Sequence, residues 1–126
     1  MIPVRGDGNK EDAMESILTS IKKLLGIEEE YTHFDADIIM HINTTFMILK
    51  QLGVGPAEGF SISDATAVWS DFIADAQNFE AVKSYMAMKV RLIFDPPTSS
   101  AVAEALKQNI AECEWRLNAA AETPCY

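Results

Sequence analysis

The segment "LIFDPPTSS", residues 92–100, constrains the fold more than any other stretch of the chain. Asp95 precedes a proline and is pushed out of helical backbone geometry, and Pro96 has no N–H with which to continue a helical ladder. A helix arriving from the N-terminal side therefore ends near Phe94. Pro97 fixes a second backbone angle, and Thr98 or Ser99 offers a hydroxyl to cap a following helix. Apolar residues at three-four spacing flank the corner on both sides, and so short a link joins antiparallel neighbours. Asp95, Pro96 and Pro97 thus form a stiff structural corner between two helices.

The rest of the chain carries the same helical period. Ile17, Leu18, Ile21, Leu24 and Leu25 make one apolar side of a short first helix, which Gly26 stops. Thr32 or Asp35 is placed to cap a second helix of about 17 residues. Its main face is Phe34, Ile38, Ile42, Thr45, Phe46, Leu49 and Leu52. Ile39, Met40, Met47 and Ile48 widen that face beyond an ordinary amphipathic stripe, so this helix is either central or buried by a second molecule. "GVGPAEGF" reads as a loop. Ser61 or Ser63 is expected to cap a third helix with Ala65, Val68, Trp69, Phe72, Ile73 and Ala76 on one side. Asn78 is expected to cap a fourth, burying Val82, Tyr85, Met86, Val90 and Ile93. The fifth buries Val102, Leu106, Ile110, Cys113 and Leu117, with "AAAETPCY" fraying after it. No segment alternates with period two for long enough to be a strand. The expected fold is all-α: a compact bundle of about five helices over 14–119, with flexible arms at 1–13 and 120–126.

A chain of 126 residues that is 48% hydrophobic suits one domain with a real core. Its net charge of −9 argues against binding to nucleic-acid phosphates or anionic lipid. Between Glu28 and Glu80 there are ten acidic residues and one Lys, Lys50, so an electrostatic partner of that stretch should be basic. Cys113 and Cys125 make neither a disulfide framework nor a zinc site. The apolar runs are too short for a membrane span, and the N-terminus lacks a secretory h-region, which points to a cytosol. Arg5-Gly6-Asp7 is a short motif that matches easily by chance.

Chemistry is sparse. His33 and His41 are two helical turns apart and miss the close spacing of a zinc-binding pair. Asp35 and Asp37 near His41 lack a nucleophile, and no phosphate-binding loop or nucleophile elbow is present. No catalytic residue, metal or cofactor is expected. Two side chains point instead to surfaces. Trp115 lies about 180° around its helix from Leu106, beside Glu104, Gln108 and Ala111, so a large aromatic sits on the polar face. Such a residue is an interface anchor, or else another element of the chain folds over it. Arg91 is four residues before Asp95, which would brace the corner locally. Its planar fork also suits a carboxylate on a neighbouring subunit. Trp115, Arg91, Met40 and Met47 are the candidate interface residues.

"KVRLIFDPP" and "ECEWRLN", with "FDADIIMHINTTFMILKQLGVGP" and "WSDF" upstream, give the chain its resemblance to the small head-tail connector (neck or adaptor) proteins of tailed bacteriophages, from about Met14 to Ala119. The resemblance implies a non-enzymatic, all-helical virion protein, made in the host cytoplasm. It would be repeated as a ring of twelve beneath the portal protein and joined to a downstream neck or tail completion protein. DNA would pass through the channel without sequence-specific binding. The rival reading is a small acidic helical regulator that binds a basic protein.

Overall fold

A computed structural model describes residues 14–73 and 76–122; the expected arm at 1–13 and residues 123–126, with Cys125, lie outside the described residues. Five helices follow in order: α1 (Ile17–Leu24), α2 (Asp35–Gln51), α3 (Trp69–Phe72), α4 (Ala76–Phe94) and α5 (Ser100–Glu122). Among the described residues there is no strand, only an isolated antiparallel bridge between Ser16 and Val68. The protein is an all-α bundle.

Local chemistry explains where α1 and α2 stop. The Ser16 hydroxyl accepts the Thr19 N–H at 3.2 Å, a side-chain cap for α1. At the other end Gly26 takes φ +82°, its N–H bonds Lys23 O and the Ile27 N–H bonds Lys22 O, a Schellman closure. The same pair of bonds closes α2: Gly53 at φ +87° bonds Lys50 O, and Val54 bonds Leu49 O. Val54, just past the turn, is buried.

α4 is the central helix, packed against α1, α2 and α5. Phe34 meets Phe94 edge-on at 5.2 Å, which sets α2 antiparallel to α4. The Asn118 side chain donates to Leu52 O at 3.1 Å, tying the C-terminal ends of α2 and α5 together. The core joins Ile17 and Ile21 of α1, Ile38, Ile42, Phe46 and Leu49 of α2, Trp69 and Phe72 of α3, and Phe79, Val82, Tyr85, Met86 and Val90 of α4.

Several expectations are corrected. Neither Thr32 nor Asp35 caps α2: the N-cap is Phe34, without a side-chain bond. Asp35 instead faces Lys22, whose ammonium is 2.8 Å from it and also donates to Glu29 O at 3.0 Å. The third helix does not start at Ser61 or Ser63. The Asn43 side chain bonds both the N–H and the C=O of Ile62, and Asp64 accepts from the Thr66 N–H and hydroxyl. Residues 67–69 pair with 15–17, Ile17 N–H to Ala67 O and Trp69 N–H to Glu15 O. These bonds hold the segment in turns that lead to the extended bridge at Val68, a competition that Ser, Asp and Asn commonly win against helix. Only four residues, Trp69–Phe72, remain helical.

Asn78 lies inside α4, which begins at Ala76, and so does not cap it. Ile93 and Val102 are exposed rather than buried, because they occupy the turns flanking the corner, beyond the packed centre. Leu106 and Cys113 are half-buried, while Ile110 and Leu117 are buried. The helix continues through Ala119–Ala121 to Glu122, where fraying was expected.

Candidate interface surfaces

The outer face of α5 is the most conspicuous surface. Trp115 is 70% exposed, so no other described element folds over it. Beside it Arg116 and Glu112 form an ion pair of 2.7 Å, one turn apart along the helix. Both ends of that pair are exposed, and such pairs add only a few tenths of a kcal/mol, about 0.3–0.5. The cost of leaving an indole in water is therefore not offset by its neighbours.

A second apolar surface lies on α2. Met40 and Met47 are both more than half exposed and lie seven residues apart, hence on one stripe. That stripe is opposite the buried row Ile38, Ile42, Thr45 and Leu49. The widening of the apolar face seen in the sequence is thus resolved into two parts: Ile39 and Ile48 pack partly against the core, and the methionines face out.

The corner follows its backbone chemistry. α4 ends at Phe94, the Asp95 N–H closes the last turn on Arg91 O at 2.9 Å, and the Ser99 hydroxyl caps α5 by accepting the Val102 N–H at 3.3 Å. The expected Arg91–Asp95 side-chain brace is absent. Both side chains are exposed, and among the described residues no ion pair involves either. In the Arg-before-Asp order such a pair is weak, and solvent outcompetes it.

What clamps α4 to α5 lies further from the corner and was not read from the sequence. The Tyr85 hydroxyl donates to Glu114 Oε2 at 2.7 Å, and the Lys89 ammonium lies 3.6 Å from the same oxygen. Burial, followed by the Glu114 carboxylate, pushes the Tyr85 phenol far above its ordinary value, so it stays a donor. Burial likewise raises the Cys113 thiol, which disfavours the reactive thiolate. Spacing alone does not signal it: Tyr85 and Glu114 sit at unequal distances from the corner, and only the length of the two side chains lets them meet.

Other polar groups are structural. Glu15 pairs with Lys23 at 2.9 Å and with Lys83 at 3.6 Å, bridging α1 and α4. His33 stacks edge-on against Phe34 at 4.8 Å. Among the described residues no three His, Cys, Asp or Glu side chains are grouped to hold a metal ion, and no helix is long and apolar enough to cross a membrane.

Large apolar side chains exposed on two outer faces of a helical scaffold suit a chain that joins other chains. A family described as phage connector protein matches residues 17–124. The chain belongs to the phage connector protein family. The match begins at the first residue of α1 and spans all five helices of the connector. No curated protein and no solved structure matches the chain. As a member of this structural family the connector is a virion component, and its partners belong to the portal and tail machinery.

Proposed function

We propose that the connector forms a ring beneath the portal and joins the DNA-filled head to the neck or tail, without catalysing a reaction. Within the connector family, the observation that carries this reading is Trp115, 70% exposed on the far side of α5 from the core. An aromatic anchor of this kind supplies binding energy once a neighbour desolvates it. Met40 and Met47 add a second, adaptable apolar face, as methionines do at binding surfaces. Arg91, exposed at the end of α4, completes the set with a guanidinium for a neighbour's carboxylate. A ring member needs two lateral surfaces as well as a core. In this proposal the ring has twelve copies, in register with the portal, and a downstream neck or tail completion protein docks on its far side.

The net charge of −9 supports a channel wall that does not grip the duplex. Electron microscopy of a lysate from a phage with this gene disrupted tests the reading. Filled or leaky heads lying apart from finished tails are expected. Normally joined particles would remove it and favour an acidic regulator that stays in the lysate.

The corner has its own expected result. Replacing Pro96 and Pro97 together by alanine frees the unfolded chain and costs about 0.4–1 kcal/mol per site. It also leaves the α4–α5 angle to the packing of Ile110 and Leu117 and to the Tyr85–Glu114 clamp. Thermal unfolding should shift down by a few degrees, and ring yield in negative-stain images should fall. Unchanged assembly would show that the prolines do not set the angle.

A further inference from the structure

A cleft of about 310 Å³ opens where α1, α4 and α5 meet, lined by Leu24, Ser84, Ala87, Met88, Arg91 and Leu106. That volume is at the lower end of ligand-sized clefts, about 300–1,000 Å³, and suits one large side chain. Its apolar lining is Leu24, Ala87, Met88 and Leu106. Leu24 is 52% exposed although Ile17, Leu18 and Ile21 of the same helix face are buried. The polar groups are few and exposed: the Ser84 hydroxyl and the Arg91 guanidinium. Arg91 has no side-chain partner among the described residues.

We propose that this cleft receives Trp115 of a second copy of the chain, an inference that rests on the ring reading and names the contact that builds it. The chemistry of the two surfaces matches group by group. An indole needs an apolar bed and one acceptor for its N–H, which Ser84 supplies. Met88 and Arg91 both line the cleft, and a thioether and a guanidinium are groups that an aromatic ring favours as neighbours. Charge is complementary as well: Glu112 beside Trp115 is paired with Arg116, the exposed Glu104 three turns away on the same side leaves that side of α5 net negative, and the cleft presents Arg91.

Geometry makes the contact intermolecular. Trp115 lies about 180° around α5 from Leu106, so it points away from the cleft of its own chain. The donor and acceptor surfaces differ, which makes the junction head-to-tail, and a head-to-tail junction repeats until it closes a ring or runs on as a filament.

Two variants separate the halves of the junction. Trp115→Ala keeps the cleft and removes the knob. Ser84→Arg, at an exposed helical position, crowds the cleft and keeps the knob. Circular dichroism should show both folded, since neither side chain is in the core. In sedimentation velocity the wild-type chain is expected to self-associate, and each variant alone to do so about 30-fold or more weakly. An equimolar mixture should form a one-to-one dimer that grows no further, because one intact cleft meets one intact Trp115. A mixture that stays monomeric while the wild type associates would overturn the contact, as would variants that assemble like wild type or a wild-type chain that stays monomeric. Rings built by both variants would remove this contact and leave the ring reading standing. Normal particles without the gene would remove the ring reading itself.

Discussion

Trp69→Ala should lower the unfolding free energy by about 3–5 kcal/mol, the range for emptying a large buried aromatic site. Trp69 is fully buried and meets Phe79 edge-on at 5.7 Å. Its indole N–H donates to Ser20 Oγ at 2.8 Å, and that hydroxyl donates in turn to Ile17 O at 3.0 Å. The residue therefore ties α3 to α1 through one polar chain and to α4 through its ring. α3 has four residues, too few to stand without tertiary support. A domain of this size has about 5–15 kcal/mol in total, so the loss removes a large share of it. Trp69→Phe keeps most of the volume but deletes the donor, for a smaller cost of about 1–2 kcal/mol. Urea unfolding followed by circular dichroism measures both. A loss below about 1 kcal/mol for the alanine variant would contradict the packing described.

Gly55→Ala is the second large effect, from one added methyl. Gly55 has φ +90°, and a Cβ there would fall 2.6 Å from Phe72 Cζ, with the neighbouring ring carbon closer still. Left-handed backbone costs about 1–2 kcal/mol for an L side chain, and overpacking adds about 1–3 kcal/mol. Together they predict a loss of about 2–5 kcal/mol in the same urea assay. Gly26→Ala is the internal comparison. Its φ is also positive, at +82°, but nothing lies within 4 Å of the added carbon, so only the backbone term applies. Equal losses at the two glycines would mean that Phe72 gives way without strain.

The residues that act through local rules were legible in the sequence. Gly26 stops α1, α2 runs over 17 residues, the corner ends α4 at Phe94, and Ser99 caps α5. Each depends on backbone sterics or on a bond within a few positions. Where partners come from far along the chain, the pattern misleads. Ala65, Val68, Trp69, Phe72 and Ile73 keep a three-four repeat, yet bonds from Asn43, Ser16 and Glu15 hold the first part out of helix. Lys22 shows the same gap: a lysine on a short helix reads as solvated, but it is 2% exposed and paired with Asp35 across the loop between α1 and α2. Among the candidate interface residues, the position of Trp115 on the polar face followed from angle alone. The Arg91–Asp95 brace failed because spacing gives proximity, while an exposed pair in that order gains too little to hold two mobile side chains.

α5 has a further property. Of its 23 residues, only Ile110 and Leu117 are buried among the side chains described. Few apolar contacts and many water-facing backbone bonds put a segment at the low end of a protein's spectrum of local opening free energies. In the isolated chain, then, the amides of α5 away from the Tyr85–Glu114 clamp are expected to exchange with solvent sooner than those of α2 and α4, which hydrogen exchange would read. The helix that carries Trp115 packs chiefly against a single neighbour, α4. In the ring proposed above, a neighbour seated on Trp115 would therefore set the resting angle of α5 as much as the single chain does.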